Sequence, residues 1–140
     1  MRFWDSSALV PLLVEQRRTR RMTGLLRADS SVATWWAARV ECDSAIARLE
    51  REGQLSKSEA AAAWERLDRF SGAWQEIQPA APLRDLARRL LRVHALRAAD
   101  ALQLAAAIVA SEQNPPTLQF VCLDERLTVA AEREGFKVLL

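Results

Sequence analysis

At 140 residues with a formal net charge of +2, the chain can bury one core and is too short for two, so a single domain over residues 1–140 is expected. The longest uninterrupted apolar run, Leu104 to Ala110, falls far short of the roughly 20 residues a membrane span needs, and Asp5 breaks the apolar N-terminus before a secretory signal core could form. A soluble, cytoplasmic protein is the expectation, and the mild excess of base excludes the strongly basic footprint of a dedicated DNA-binding arm.

Of the 20 basic residues 18 are arginine, which suits bidentate phosphate recognition, although the alanine richness beside them makes genome base composition the plainer source. The two cysteines, Cys42 and Cys122, lie in apolar segments without CxxC or Cys/His spacing, so buried reduced thiols are expected rather than a zinc site or a disulfide.

The elements alternate. A short first strand ends at Asp5, and residues 7–16 read as a helix in which Pro11 must sit near the first turn or force a kink. The basic run Arg17, Arg18, Arg20 and Arg21 leads into a short helix ending near Arg27. Residues 31–34 form a plausible second strand, and a long helix follows from about Trp36 to Glu52, where Gly53 stops it. Ser56 and Glu59 make a capping box that opens an alanine-rich helix through about Phe70.

A third strand over residues 74–77 is cut off by Pro79 and Pro82, and residues 83–91 then show an amphipathic helical pattern. Residues 98–110 are apolar nearly all round, which marks a buried helix interrupted only by Asp100 and, on the same face, Gln103. After Asn114-Pro115-Pro116 come a strand over 118–123, a helix over 124–134 ended by Gly135, and a last strand over 137–140. Strands alternating with helices predict an α/β fold: a three-layer α/β/α domain with a short, mostly parallel central sheet and a helical insertion between its second and third strands.

Four acids stand out against this frame. Asp5 follows the first strand directly, and Glu41, Asp100 and Asp124 sit at or near helix starts inside apolar segments. Each has an ordinary role open to it as a cap, a first-turn acid or a solvated helix residue. Parallel topology, however, gathers the carboxyl ends of neighbouring strands along one edge, which would bring Asp5 and Asp124 to one crevice. Carboxylates gathered without basic partners repel one another, and a divalent cation relieves them.

The stretches Phe3-Trp4-Asp5-Ser6-Ser7-Ala8-Leu9, Val40-Glu41-Cys42, Ala99-Asp100-Ala101-Leu102-Gln103-Leu104-Ala105 and Phe120-Val121-Cys122-Leu123-Asp124-Glu125-Arg126-Leu127 together resemble the PIN-domain ribonucleases, in particular the VapC-like toxins of toxin-antitoxin pairs. The resemblance covers essentially the whole chain, with the motifs in family order. It implies an endoribonuclease dependent on Mg²⁺ or Mn²⁺, whose catalytic acids and metal ligands would be Asp5, Glu41, Asp100 and Asp124, with Ser7 and Gln103 in support. It also implies hydrolysis that leaves a 5′-phosphate and a 3′-hydroxyl, a homodimer, and a cognate antitoxin that lays a segment across the groove, with no membrane involvement. Two positions depart from the family: Cys122 stands where a threonine or serine is frequent, and Gln103 where histidine is also common.

Arg17, Arg18, Arg97 and Arg126 are candidates for gripping the RNA backbone by their proximity in sequence to the acids, although solvated surface arginines would look the same. Trp35, Trp36, Trp64 and Trp74 could stack on unpaired bases, or anchor the core or a subunit interface. His94 is the only histidine, so a histidine-driven ribonuclease is disfavoured and a structural role is expected for it. Two other readings compete: a PIN-like module that binds RNA or a partner without catalysis, and a different α/β phosphotransfer protein. The dehalogenase-type phosphatases need a second aspartate two residues after the first, where this chain has Ser7.

Overall fold

A computed structural model describes all 140 residues. Strand β1 spans Arg2–Trp4, and helices α1 (Ser6–Leu13) and α2 (Thr19–Ala28) follow it. Strand β2 (Val32–Trp35) leads to α3 (Ala38–Arg51) and α4 (Lys57–Ser71), and β3 (Gln75–Ile77) to α5 (Ala81–Val93) and α6 (Ala98–Ala110). A 3-10 turn at Pro115–Thr117 precedes β4 (Gln119–Val121), α7 (Glu125–Arg133) and β5 (Lys137–Leu139).

The five strands form one sheet in the order β3-β2-β1-β4-β5, and every pair is parallel, not merely most of them. The strand order dictates which face each helix covers. Right-handed crossovers place α1 to α4 on one face while the chain steps from β1 out to β3. The chain then reverses direction, returns past β1 to β4, and α5, α6 and α7 cover the opposite face. Strand alternation divides the apolar side chains accordingly: Phe3, Ala33 and Phe120 join the α5–α6–α7 core, whereas Trp4, Val32 and Val121 join the core beneath α1 to α4. The Phe3 and Phe120 rings stack at 5.4 Å between centroids. No helix is long and apolar enough to cross a membrane.

Pro11 corrects one expectation. It lies in the second half of α1, past the first turn, and the helix ends at Leu13 instead of reaching Gln16. A proline there removes one backbone donor, and its ring crowds the carbonyl four residues back, so the helix ends within a turn. The Thr19 hydroxyl takes up the Pro11 carbonyl at 2.7 Å. The capping box at Ser56 and Glu59 forms in both directions. Helix α5 begins earlier than its apolar pattern suggested because Pro82 occupies its first turn, where a missing N–H costs nothing. Strand β4 is three residues long, shorter than the apolar run 118–123, since Asp124 already caps the next helix.

Cys42 and Cys122 are buried and free, as expected. Trp35 and Trp74 belong to the cores and Trp64 packs against one of them, so of the four stacking candidates only Trp36 presents a surface. His94 is structural: its Nε2 lies 2.7 Å from Glu134 Oε1, tying the end of α5 to the end of α7.

Candidate active site

Strands β1 and β4 are neighbours at the point where the connections reverse direction, and beyond their carboxyl ends a crevice opens where α/β sheets take ligands. Asp5 and Asp124 lie on its floor. The same cleft, about 320 Å³, is lined by Glu41, Asp100, Gln16 and Arg48. All four acids singled out in the sequence therefore share one cavity.

Each acid is positioned by a helix start. Asp5 caps α1, its Oδ2 accepting the Ser7 amide at 3.0 Å and the Ser7 hydroxyl, while its own amide donates to the Val121 carbonyl at 3.0 Å. Asp124 caps α7 by accepting the Leu127 amide on Oδ1 at 2.8 Å. Asp100 stands in the first turn of α6, with Oδ2 3.3 Å from the Arg97 amide. Glu41 stands in the first turn of α3, and its Oε2 accepts the Ser6 hydroxyl at 2.6 Å and Gln103 Nε2 at 2.9 Å. One oxygen of every carboxylate is thus committed to the fold, and the other has no partner within the protein.

The electrostatics are unbalanced. None of the four acids makes an ion pair, and Arg48 is the only basic side chain lining the cleft. Asp5 is 4% exposed. Burial, with added repulsion from Glu41 and in spite of the hydrogen bonds from Ser7 and Cys122, pushes its carboxyl up to about 6. A buried carboxylate with a free oxygen, beside three other acids, is a site that favours a cation.

As the side chains stand, no three acid, thiol or imidazole groups lie close enough together to share one ion. A divalent ion that keeps several of its waters needs only one or two carboxylates as direct ligands. Hard oxygen donors alone line the floor, with no imidazole or accessible thiolate to draw a softer metal. Burial and the neighbouring Asp5 hold the Cys122 thiol protonated far above neutral pH.

No family model matches the chain. Two curated relatives align along almost all of it: Ribonuclease VapC45 and Ribonuclease VapC49 of Mycobacterium tuberculosis, each 30% identical over 136 residues, 97% of this chain and 92% of the relative. The chain belongs to the VapC family of PIN-domain ribonucleases. Among solved structures, the crystal structure of FitAcB from Neisseria gonorrhoeae matches with a TM-score of 0.67 at 18% identity, covering 100% of this chain and 97% of that one. The structure of FitAB bound to an IR36 DNA fragment matches with a TM-score of 0.68 at 17% identity, covering 99% and 94%. These two likenesses concern the fold.

Within this VapC-family chain, the cysteine at 122 leaves no hole in the hydrogen bonding. Its Sγ lies 3.6 Å from Asp5 Oδ2 and 3.5 Å from the Asp124 carbonyl, a weak donor between the two capping acids. Ser7 supplies the stronger bonds, its hydroxyl donating to Asp5 and accepting the Leu123 amide at 2.9 Å. Ser7→Ala would orphan the Leu123 amide and remove one of the donors to Asp5, which keeps the Ser7 amide, so a loss of about 1–3 kcal/mol in chemical unfolding is expected. Gln103, 1% exposed, reaches Glu41 as its shared helix face with Asp100 suggested.

The arginine candidates fare differently. Arg126 lines a separate hollow with His94 and Arg133, and Arg97 does not line the acid cleft although its amide meets Asp100. Arg126 follows Asp124 into α7, whereas Arg97 precedes α6 and stands at its N-cap. Arg17 and Arg18 lie beside the cleft rather than in it. Sequence reasoning missed Arg48, which shares a helix face with Glu41 and Ala45 at intervals of four and three residues. That spacing was readable once Glu41 was chosen. Ser6, the hydroxyl donor to Glu41, was also missed, because nothing local to it shows that α3 packs against the start of α1.

Proposed function

We propose that the protein is an endoribonuclease that hydrolyses RNA phosphodiester bonds with a divalent ion, Mg²⁺ or Mn²⁺, held by Asp5, Glu41, Asp100 and Asp124, and that it is the toxin of a toxin-antitoxin pair. The observation that carries this reading is the single cleft lined by four acids with no ion pair among them. The 30% identity to two proteins named ribonucleases over 97% of the chain supports the activity.

Held by these carboxylates, a divalent ion would supply an acidified water for attack on phosphorus and would offset charge on the phosphate oxygens. The chain's own residues prepare that chemistry. Ser7 and Cys122 hold Asp5 by one oxygen, and Ser6 and Gln103 hold Glu41 by one oxygen, so that in each the other oxygen faces the cleft at little further entropic cost. Arg48 at the rim is placed to take a non-bridging oxygen of the phosphate.

The partners implied are single-stranded RNA, a cognate antitoxin and a second copy of the chain. An acid cleft attracts an arginine carried by an inhibitory segment. The exposed Trp36 and Val40, four residues apart at the head of α3, offer apolar surface for self-association.

The test is cleavage of 5′-labelled single-stranded RNA by the purified protein in Mg²⁺, Mn²⁺ or chelator. Fragments bearing 5′-phosphate and 3′-hydroxyl ends are expected with either metal and none in chelator. Cyclic phosphate ends, or equal cleavage in chelator, would contradict the reading.

A further inference from the structure

Beside the acid cleft, and separate from it, lies a hollow of about 510 Å³ whose lining is Arg17, Arg18, Arg20, Arg21 and Gly24, with no apolar residue. Arg17, Arg18 and Arg20 make no ion pair, and Arg21 donates only its Nε, to the Leu140 carbonyl at 2.8 Å. Four like charges gathered at the start of α2 and the turn before it repel one another unless an anion joins them.

Two further observations point to the same ligand. Helix α2 starts at Thr19 without any side-chain cap, and the amides of Arg20 and Arg21 have no backbone acceptor, whereas those of Thr19 and Met22 do. The N-terminal end of this ten-residue helix, with its free amides and positive partial charge, carries the arginines on the same few residues. Gly24, one turn further along that face, is an unfavourable residue inside a helix, and no packing demand explains it, since a Cβ built there meets nothing within 4 Å.

The two linings meet along the chain. Gln16 lines the acid site and Arg17 lines the hollow, and consecutive Cα atoms stand about 3.8 Å apart. We propose that this arginine hollow is a remote phosphate site that holds the RNA backbone beyond the bond to be cut, and so fixes the direction in which the strand crosses the acids. The assignment of RNA as the polyanion rests on the function proposed above. The phosphate chemistry of the site rests on the four arginines, the open amides and Gly24.

The test measures binding of a labelled single-stranded RNA dodecamer and of a dinucleotide to otherwise full-length protein carrying Asp5→Asn, so that the RNA stays intact. The variant Arg17→Ala/Arg18→Ala/Arg20→Ala removes three exposed side chains with no partner in the fold, and its thermal midpoint is expected to be unchanged. Its affinity for the dodecamer is expected to fall about tenfold, with a salt dependence shallower by about 0.7 in slope for each phosphate released. Dinucleotide binding is expected to be unaffected. Gly24→Glu, which removes no arginine, should weaken dodecamer binding likewise, and Gly24→Ala should not.

Unchanged dodecamer affinity and salt slope in both the triple variant and Gly24→Glu would overturn the proposal. So would a parallel loss for the dinucleotide, which would put the arginines at the scissile phosphate, or displacement of the dodecamer by poly-glutamate as effectively as by RNA, which would assign the hollow to an acidic protein. A wild-type protein that cuts no RNA yet binds it through these arginines would refute the nuclease function and leave the phosphate site standing.

Discussion

Asp5→Asn is expected to lower the rate of RNA cleavage about a thousandfold or more while leaving the fold intact. Asparagine keeps the size of the side chain and an oxygen that can accept from both the Ser7 amide and the Ser7 hydroxyl, so the cap on α1 survives. What it removes is one negative charge at a position 4% exposed, directly after the central strand, where the other three acids cannot substitute for it. Single-turnover rates on labelled RNA, with circular dichroism as the check on folding, read the effect. A rate within tenfold of wild type would mean that the charge of Asp5 takes no part in the chemistry.

The second large effect is on stability, and its sign follows from burial. Asp5 titrates near 3.8 when unfolded and at about 6 in the folded chain, chiefly because burial disfavours its charge. Between those values the folded protein holds a proton that the unfolded chain has released. The stability this contributes is complete below about pH 4, declines as pH rises, and is gone above about pH 6. A displacement of roughly two pH units corresponds to about 3 kcal/mol, so urea unfolding of metal-free protein should show a fall of that order across this window. In Asp5→Asn the fall should vanish, leaving the variant the more stable of the two near neutrality. Divalent ion should reverse the loss in wild type alone, by about 2.7 kcal/mol at a hundred times its dissociation constant. A flat profile in metal-free wild type would contradict the burial of an ionised carboxylate on which the cleft depends.

Much of this was legible in the chain because the signals were local. The aspartates at 5 and 124 are N-caps directly after apolar strands, and cap chemistry and strand ends are both readable over a few residues. The alternation of strands and helices led to a parallel sheet, and the all-apolar segment 98–110 to a buried helix whose two polar residues face the site. Where the reading went astray, the deciding contacts were distant. Arg48 lines the cleft from the Glu41 face of α3, and closeness in sequence to the strand-end acids does not point to it. The bonds of Ser6 to Glu41 and of Arg66 to the Leu13 carbonyl join residues 35 and 53 positions apart, and no local pattern announces them. Of the four tryptophan candidates, only Trp36 remains exposed, because burial is decided by which helices pack over each strand.

The central claim is that the four carboxylates of one cleft, Asp5 above all, bind a divalent cation. Calorimetric titration of Mn²⁺ into metal-free protein near neutral pH tests it most directly, comparing wild type with Asp5→Asn. Saturable binding in wild type, with proton release from the carboxyl that sits at about 6, and its loss in the variant is the expected result. Equal binding in both proteins, or binding in neither, would contradict the account.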